Sequence, residues 1–286
     1  MKRRFAMHSA TTGASTLLDA IDVARAGDFD AIEIGSDKLA EHLAAGGTLG
    51  EVRQSLGRTG IEALALSTTE PIALPRGTDD VAALARAHES LCESAADIGC
   101  SFLVVRPPRP MDQAMPRIWH DTVARTLASV SRTAADHGIR VALEFVGTGS
   151  STVRTFAQAR EIASAAAPPV GLVLDAFHFH AGASTYAMLD GLDAASVCIV
   201  RLNDSENLPL ENLSDANRTL PGDGVIAMRE LLRQVESVGY RGAYSIQLPR
   251  PEYYDWEPRR LARVAHESIE AVCAEKDEQE GLFDYD

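Results

Sequence analysis

Two acids in this chain stand at the ends of apolar runs, and a histidine follows one of them. Arg140-Val141-Ala142-Leu143-Glu144 closes on a glutamate, and Val170-Gly171-Leu172-Val173-Leu174-Asp175 closes on an aspartate, with His178 three residues on. Such runs suit strands buried on both faces of a parallel sheet. A carboxylate is costly to bury unless something pairs with it. Glu144 and Asp175 are therefore either structural ion-pair partners or members of a site, and His178 is either a packed, hydrogen-bonded ring or an acid/base group. The pattern recurs in Cys198-Ile199-Val200-Arg201, with Asn203 just beyond, and in Ala243-Tyr244-Ser245-Ile246-Gln247. Four apolar strands that each end in a polar group read as four walls of one pocket.

The elements that must carry these walls alternate strictly. Strand patterns at 5–8, 30–35, 61–67, 102–106, 140–144, 170–175, 198–201 and 243–247 are separated by stretches of helical periodicity, such as Leu17, Leu18, Ile21 and Ala24. Gly27 and Gly60 sit where helices should end, and Gly46-Gly47 breaks a helical region. Thr78-Asp79-Asp80 can cap the helix that follows it, and Gly182-Ala183-Ser184 is read as starting a short helix. Asp204 to Pro221 reads as a long polar insertion. The last helix is expected from about Pro258 to Ala274, leaving 275–286 as an acidic tail expected to fray or be disordered. Eight such units argue for one domain, residues 1–274, of the α/β class closed into a (β/α)₈ barrel. The runner-up, a doubly wound open sheet, lacks a G-x-G-x-x-G after the first strand.

In a closed barrel the active site lies at the C-terminal strand ends. Those ends are His8, Glu33, Ser67, Arg106, Glu144, Asp175, Arg201 with Asn203, and Gln247. A polar mouth on an apolar barrel fits a small polar substrate. Arg106 and Arg218 lie on loops over the mouth and suit anion or hydroxyl binding; His8 and His180 are read as substrate contacts or as structural hydrogen-bonders.

Composition sets the outer bounds. At 286 residues, 45% hydrophobic and 24% charged, the chain can bury a large core. Its formal net charge of −14 argues against a nucleic-acid partner, which needs a basic stripe. Cys92, Cys100, Cys198 and Cys273 form no C-x-x-C or zinc-like spacing, and are expected as buried thiols in a reducing compartment. No signal peptide is read after Met1-Lys2-Arg3-Arg4 and no run suits a membrane span. A cytoplasmic protein without a membrane partner is expected. The sequence admits a homo-oligomer without requiring one.

Five segments carry a resemblance: Val141-Ala142-Leu143-Glu144, Leu174-Asp175-Ala176-Phe177-His178, Leu202-Asn203-Asp204, Arg218-Thr219-Leu220-Pro221-Gly222-Asp223-Gly224 and Gly239-Tyr240-Arg241-Gly242-Ala243-Tyr244-Ser245-Ile246. With these in order, the chain resembles the sugar phosphate isomerase/epimerase superfamily over roughly residues 5–274. These are the xylose isomerase-like barrels that include inosose dehydratases, tagatose epimerase-like enzymes and 3-dehydroshikimate dehydratases. Members hold one divalent metal with a glutamate on strand five, an aspartate on strand six, a histidine on strand seven and a glutamate on strand eight. The resemblance maps the first two onto Glu144 and Asp175, and puts Arg201 and Gln247 at the other two positions.

That departure shapes the expectation. Arginine offers a metal no lone pair, and a cation about 4 Å from a divalent ion is repelled by roughly 8 kcal/mol at an effective dielectric of about 20. No cofactor is favoured, and Arg201 is expected in the metal's place, paired with Glu144 or Asp175. The alternative is one divalent ion (Mn, Mg or Zn) on Glu144, Asp175, Gln247 and a histidine, His178 or His180. The resemblance implies an isomerase/epimerase or dehydratase acting by proton abstraction next to a carbonyl of a small polyhydroxylated or keto-acid substrate. In the metal-independent form, Glu144 or Asp175 is the base, His178 the acid partner and Arg201 the positive charge. His8, Arg106, His180, Asn203, Arg218 and Gln247 would hold the substrate. The other readings are a conventional metal-dependent sugar isomerase/epimerase and a non-catalytic small-molecule-binding barrel.

Overall fold

Successive side chains of a strand point to opposite faces, and here that alternation sorts each strand into an outer apolar row and an inner row that turns polar at its last residue. In the computed structural model, which describes residues 3–74, 78–108, 116–149 and 151–280, eight parallel strands close into the expected barrel. They are β1 (Arg4–His8), β2 (Ala31–Gly35), β3 (Glu62–Pro71), β4 (Phe102–Arg106), β5 (Arg140–Glu144), β6 (Gly171–Asp175), β7 (Val197–Arg201) and β8 (Ala243–Ile246), with β8 pairing back onto β1.

The lower inner tier is small and apolar: Ala6, Ala31, Ala65, Val104, Ala142, Val173, Ile199 and Ala243 pack against one another. One strand period higher stand His8, Glu33, Ser67, Arg106, Glu144, Asp175, Arg201 and Ser245. The register brings His8 beside Glu33 and Arg201 beside both Asp175 and Ser245. The intervening residues, among them Phe5, Ile32, Leu103, Leu143, Leu174 and Val200, face outward into the main core under the helices. Each such aliphatic side chain stabilises the fold by about 1.5–3 kcal/mol.

The helices follow local rules. In α1 (Leu17–Ala26), Thr16 accepts from Asp19 N as N-cap, and Leu17, Ala20, Ile21 and Ala24 are buried. The break at Gly46-Gly47 separates α2 (Ser36–Ala44) from α3 (Leu49–Thr59); α3 opens with a Thr48–Glu51 capping box and ends on Gly60 at φ +72°, a left-handed conformation that favours glycine. Next come α4 (Thr78–Ile98), α5 (Pro116–Asp136), α6 (Phe156–Ala165), α7 (Ala176–Ala181), α8 (Met228–Ser237) and α9 (Pro258–Glu280).

Three local expectations change. The short helix after β6 begins at Ala176, not near Gly182, because Asp175 itself caps it by accepting from His178 N. The long polar insertion contains an antiparallel ribbon, Asp204–Ser205 with Arg218–Thr219, and two single 3₁₀ turns. The last helix continues to Glu280, into the stretch read as a tail; residues 281–286 lie outside the described residues.

Candidate active site

Two buried guanidiniums organise the mouth. Arg201, at the end of β7, reaches across the barrel. Its Nε and Nη2 donate to Glu33 Oε1 and Oε2 at 3.0 and 2.7 Å, and its Nη1 donates to Glu144 Oε1 at 2.5 Å and Gln247 Oε1 at 2.9 Å. Ser245 Oγ adds a 2.6 Å bond to Glu33 Oε1. Burial alone would raise the Glu33 carboxyl, but Arg201 beside it holds the pKa down at about 2. Burial alone would lower Arg201; Glu144 and Glu33 outweigh it and push its pKa up.

Arg218, in the ribbon, holds the second group. Its Nη1 donates to both oxygens of Asp175 at 3.0 and 2.9 Å, its Nε donates to Asp215 Oδ1 at 3.0 Å, and its guanidinium lies 4.5 Å from the Phe177 ring centre. The expectation that Arg201 pairs with Glu144 or Asp175 is met on the Glu144 side only. Asp175 belongs to Arg218, and Glu33 takes the remaining face of Arg201. Although burial opposes it, Arg218 keeps Asp175 below the usual carboxylate range.

His178 sits between the groups. Its Nε2 lies 3.1 Å from Arg218 Nη2, 3.7 Å from Glu144 Oε1 and 3.9 Å from Asp215 Oδ1. A guanidinium only donates, so Nε2 is the acceptor and the ring is neutral with its proton on Nδ1. Nδ1 has no hydrogen-bond partner among the described residues. Burial first, and Arg218 second, push the His178 pKa down. Asn203 ties the groups together, donating from Nδ2 to Asp175 Oδ2 at 3.3 Å and accepting from Gln247 N at 2.6 Å.

Arg106 is the open cation. Its side chain is 25% exposed, with Nε 3.8 Å from Glu144 Oε2 and Nη2 3.5 Å from Asp215 Oδ2. Together with Thr69, Pro71, Thr148 and Asp215 it lines a pocket of about 340 Å³, a size suited to a small ligand. Two candidates lie off this network. His8 is buried with Nδ1 accepting from Ala10 N, and its pKa is lowered to about 4 by burial. His180 is half-buried on α7, where burial lowers its pKa and Asp204 is the acid that acts on it.

Three donors suit a metal ion by distance: among the described residues, one atom each of Glu144, Asp175 and His178 lie within 4.8 Å of one another. Most of their donor atoms are engaged, Glu144 Oε2 excepted. Arg218 donates to both Asp175 oxygens and to His178 Nε2, and Arg201 donates to Glu144 Oε1 and to Gln247 Oε1. A metal ion on these three groups would have to displace Arg218 from Asp175 and His178 and share Glu144 with Arg201.

The sequence reading did not single out Asp215, Ser245 or the full role of Glu33. Glu33 carried a signal, since it ends a strand. Asp215 carried only its place three residues before Arg218, inside a stretch read as an insertion.

Comparison with known proteins places this chain in a wider group. Residues 21–272 match the model of the xylose isomerase-like TIM barrel. The inosose isomerase of Halalkalibacterium halodurans is 30% identical over 264 residues, 91% of this chain and 92% of that protein. The Bacillus subtilis inosose isomerase is 31% identical over 187 residues, 65% of this chain and 67% of that one. The crystal structure of the IolI protein with a bound zinc atom superposes with a TM-score of 0.89 at 28% identity, covering 96% of this chain and 99% of the other. L-ribulose 3-epimerase shares the fold, with a TM-score of 0.78 at 19% identity over 99% of each chain. The family match takes in β2 to β8 of the barrel described above, and this chain belongs to the xylose isomerase-like TIM barrel family.

Proposed function

We propose that this chain enolises a small polyhydroxylated ketone without a resident metal ion. The enzyme class, of the isomerase, epimerase or lyase kind, is that of its inosose isomerase relatives. The observation that carries the reading is the pairing of Glu144 Oε2 with Arg106: they stand 3.8 Å apart, longer than a hydrogen bond, beside a pocket of about 340 Å³. Glu144 is the base and takes the proton from the carbon next to the substrate carbonyl. Negative charge then grows on the carbonyl oxygen, where the Arg106 guanidinium donates. Passing the adjacent hydroxyl proton to the old carbonyl oxygen and returning the proton from Glu144 to the old carbonyl carbon completes an isomerisation; giving that proton instead to a hydroxyl one carbon further on, which leaves as water, completes a dehydration.

Arg201, Asp175 and Arg218 serve this scheme as fixed supports, because their hydrogen-bonding groups are engaged with one another's partners. His178, neutral and accepting at Nε2, steadies Arg218 and is not poised as an acid there. Gln247 and Asn203 close the floor, and His8 and His180 are second candidates for substrate hydroxyls. The four cysteines, all buried and free, support a reducing compartment such as the cytoplasm. No helix among the described residues is long and apolar enough to cross a membrane. The partner in this reading is a small-molecule substrate.

A metal-dependent reading draws on the proximity of Glu144, Asp175 and His178. One experiment separates the two: turnover of inososes and ketoses by the purified protein and by Glu144→Gln, before and after a chelator, with metal content measured alongside. Turnover that survives the chelator and falls by about 10²–10⁴-fold in Glu144→Gln is the expected result. Turnover lost to the chelator and restored by Mn²⁺, Mg²⁺ or Zn²⁺ favours the metal reading. Turnover of no ketone would leave a binding barrel and sink both.

A further inference from the structure

Asp215 is the one acid of the network that no barrel strand supplies. It sits in the excursion between the two ribbon strands, and its side chain is 38% exposed against 4% for Glu144 and none for Asp175 and Glu33. The excursion is built to present it. Ser214 N and Oγ both donate to Asn217 Oδ1, Asn217 Nδ2 donates to Glu206 Oε2, and Arg250 Nη2 holds Glu206 Oε1. The carboxylate so placed meets two cations. Oδ1 lies 3.0 Å from Arg218 Nε and 2.9 Å from Arg218 Nη2, while Oδ2 lies 3.5 Å from Arg106 Nη2. Guanidiniums whose donors converge on one carboxylate make an anion site by their own chemistry, and here the chain fills that site itself.

We propose that Asp215 is a specificity-determining residue: an internal anion seated between Arg106 and Arg218, which admits uncharged polyhydroxylated substrates and turns away phosphorylated or carboxylated ones. This rests on the proposed function for its substrate class, but the anion position stands on geometry alone. Among the described residues, Arg106 and Arg218 already hold Asp215 between them, so an incoming anion would have to displace a carboxylate and would meet its negative charge. A hydroxyl meets no such penalty, since it can accept from Arg106 and donate to Asp215 Oδ2. Although burial opposes it, Arg218 holds the Asp215 carboxyl well below the usual carboxylate range. The internal anion therefore stays charged across ordinary pH.

Inorganic phosphate, titrated calorimetrically into the whole chain, tests this without any turnover, so its result stands apart from the fate of the enzymatic reading. The wild-type chain is expected to show no saturable phosphate binding at millimolar concentration. Asp215→Asn, which keeps the shape and removes the charge, is expected to bind phosphate about tenfold or more tighter, and Asp215→Ala likewise. A thermal melt of each variant confirms that it is folded. Saturable millimolar binding by the wild-type chain would overturn the inference, as would a folded Asp215→Asn that binds phosphate no better than wild type.

Discussion

Arg201 and Arg218 head the fully buried side chains by volume, yet their surroundings differ in kind. Arg201 is held by Glu33, Glu144 and Ser67 from barrel strands and by Gln247 just past the end of another. All of these stand on, or just past the end of, paired barrel strands. Arg218 sits in a two-residue ribbon and holds the cap of α7 on one side and a partly exposed loop carboxylate on the other. The first arrangement locks the mouth across its width. The second joins a fixed floor to a segment that can relax into water. A buried pair loses several kcal/mol when one partner goes, because the other charge is stranded; a half-open pair can rehydrate.

The comparison can be broken first by restoring a metal-ligating pair. Arg201→His with Gln247→Glu supplies a lone pair and a carboxylate where a guanidinium and an amide stand. The double variant should bind about one zinc ion per chain while the parent, measured identically, binds far less. Equal zinc in both would show that Arg201 is not what keeps a cation out.

Removing each arginine sharpens the contrast further. Arg201→Met should cost about 3–5 kcal/mol in denaturant unfolding, since Glu33 and Glu144 stay buried without a cation. Arg218→Met should fall at the low end of that range, about 3 kcal/mol, because it strands Asp175 alone while Asp215 can turn to solvent. Equal losses would erase the distinction between a locked and a relaxing side.

Acid stability reads both sides of the mouth, and on the Arg201 side it runs through His8 and Glu33. His8 has a folded pKa of about 4 against an ordinary 6.5, and Glu33 about 2 against 4.5. Both are lowered, so at low pH the unfolded chain binds protons that the fold refuses. Stability should be full above about pH 6.5, decline toward pH 4 through His8, and decline again from about 4.5 toward 2 through Glu33. Each step is worth about 3 kcal/mol. His8→Asn should make the upper limb shallower and leave the lower one; an unchanged profile would remove His8 from the account. The smallest effect belongs to the loop: Asn217→Ala loosens the Asp215 excursion and should cost about 1 kcal/mol or less in a chemical melt.

Much of the site was legible in the chain before folding. The period-two rows place Ala142 below Glu144, Val173 below Asp175 and Ile199 below Arg201, so the strand ends and their convergence follow from local patterning. That Arg201 pairs with Glu144 or Asp175 was also expected, because an arginine among acids in a closed mouth must pair, but the choice between the two was not. The pairing of Asp175 with Arg218 did not follow, since several acids lay within reach and only the geometry across the barrel chooses among them.

The sequence by itself therefore determined the barrel, its order of strands and the identity of its polar rim, because alternation and helical spacing act between near neighbours. Only the tertiary structure decided which acid holds which arginine. Glu33 and Arg201 are 168 positions apart, and Asp215 enters the site through a ribbon and a capped turn that no periodicity announces. Partner choice among buried charges depends on distances between remote elements, and those distances exist only once the barrel has closed.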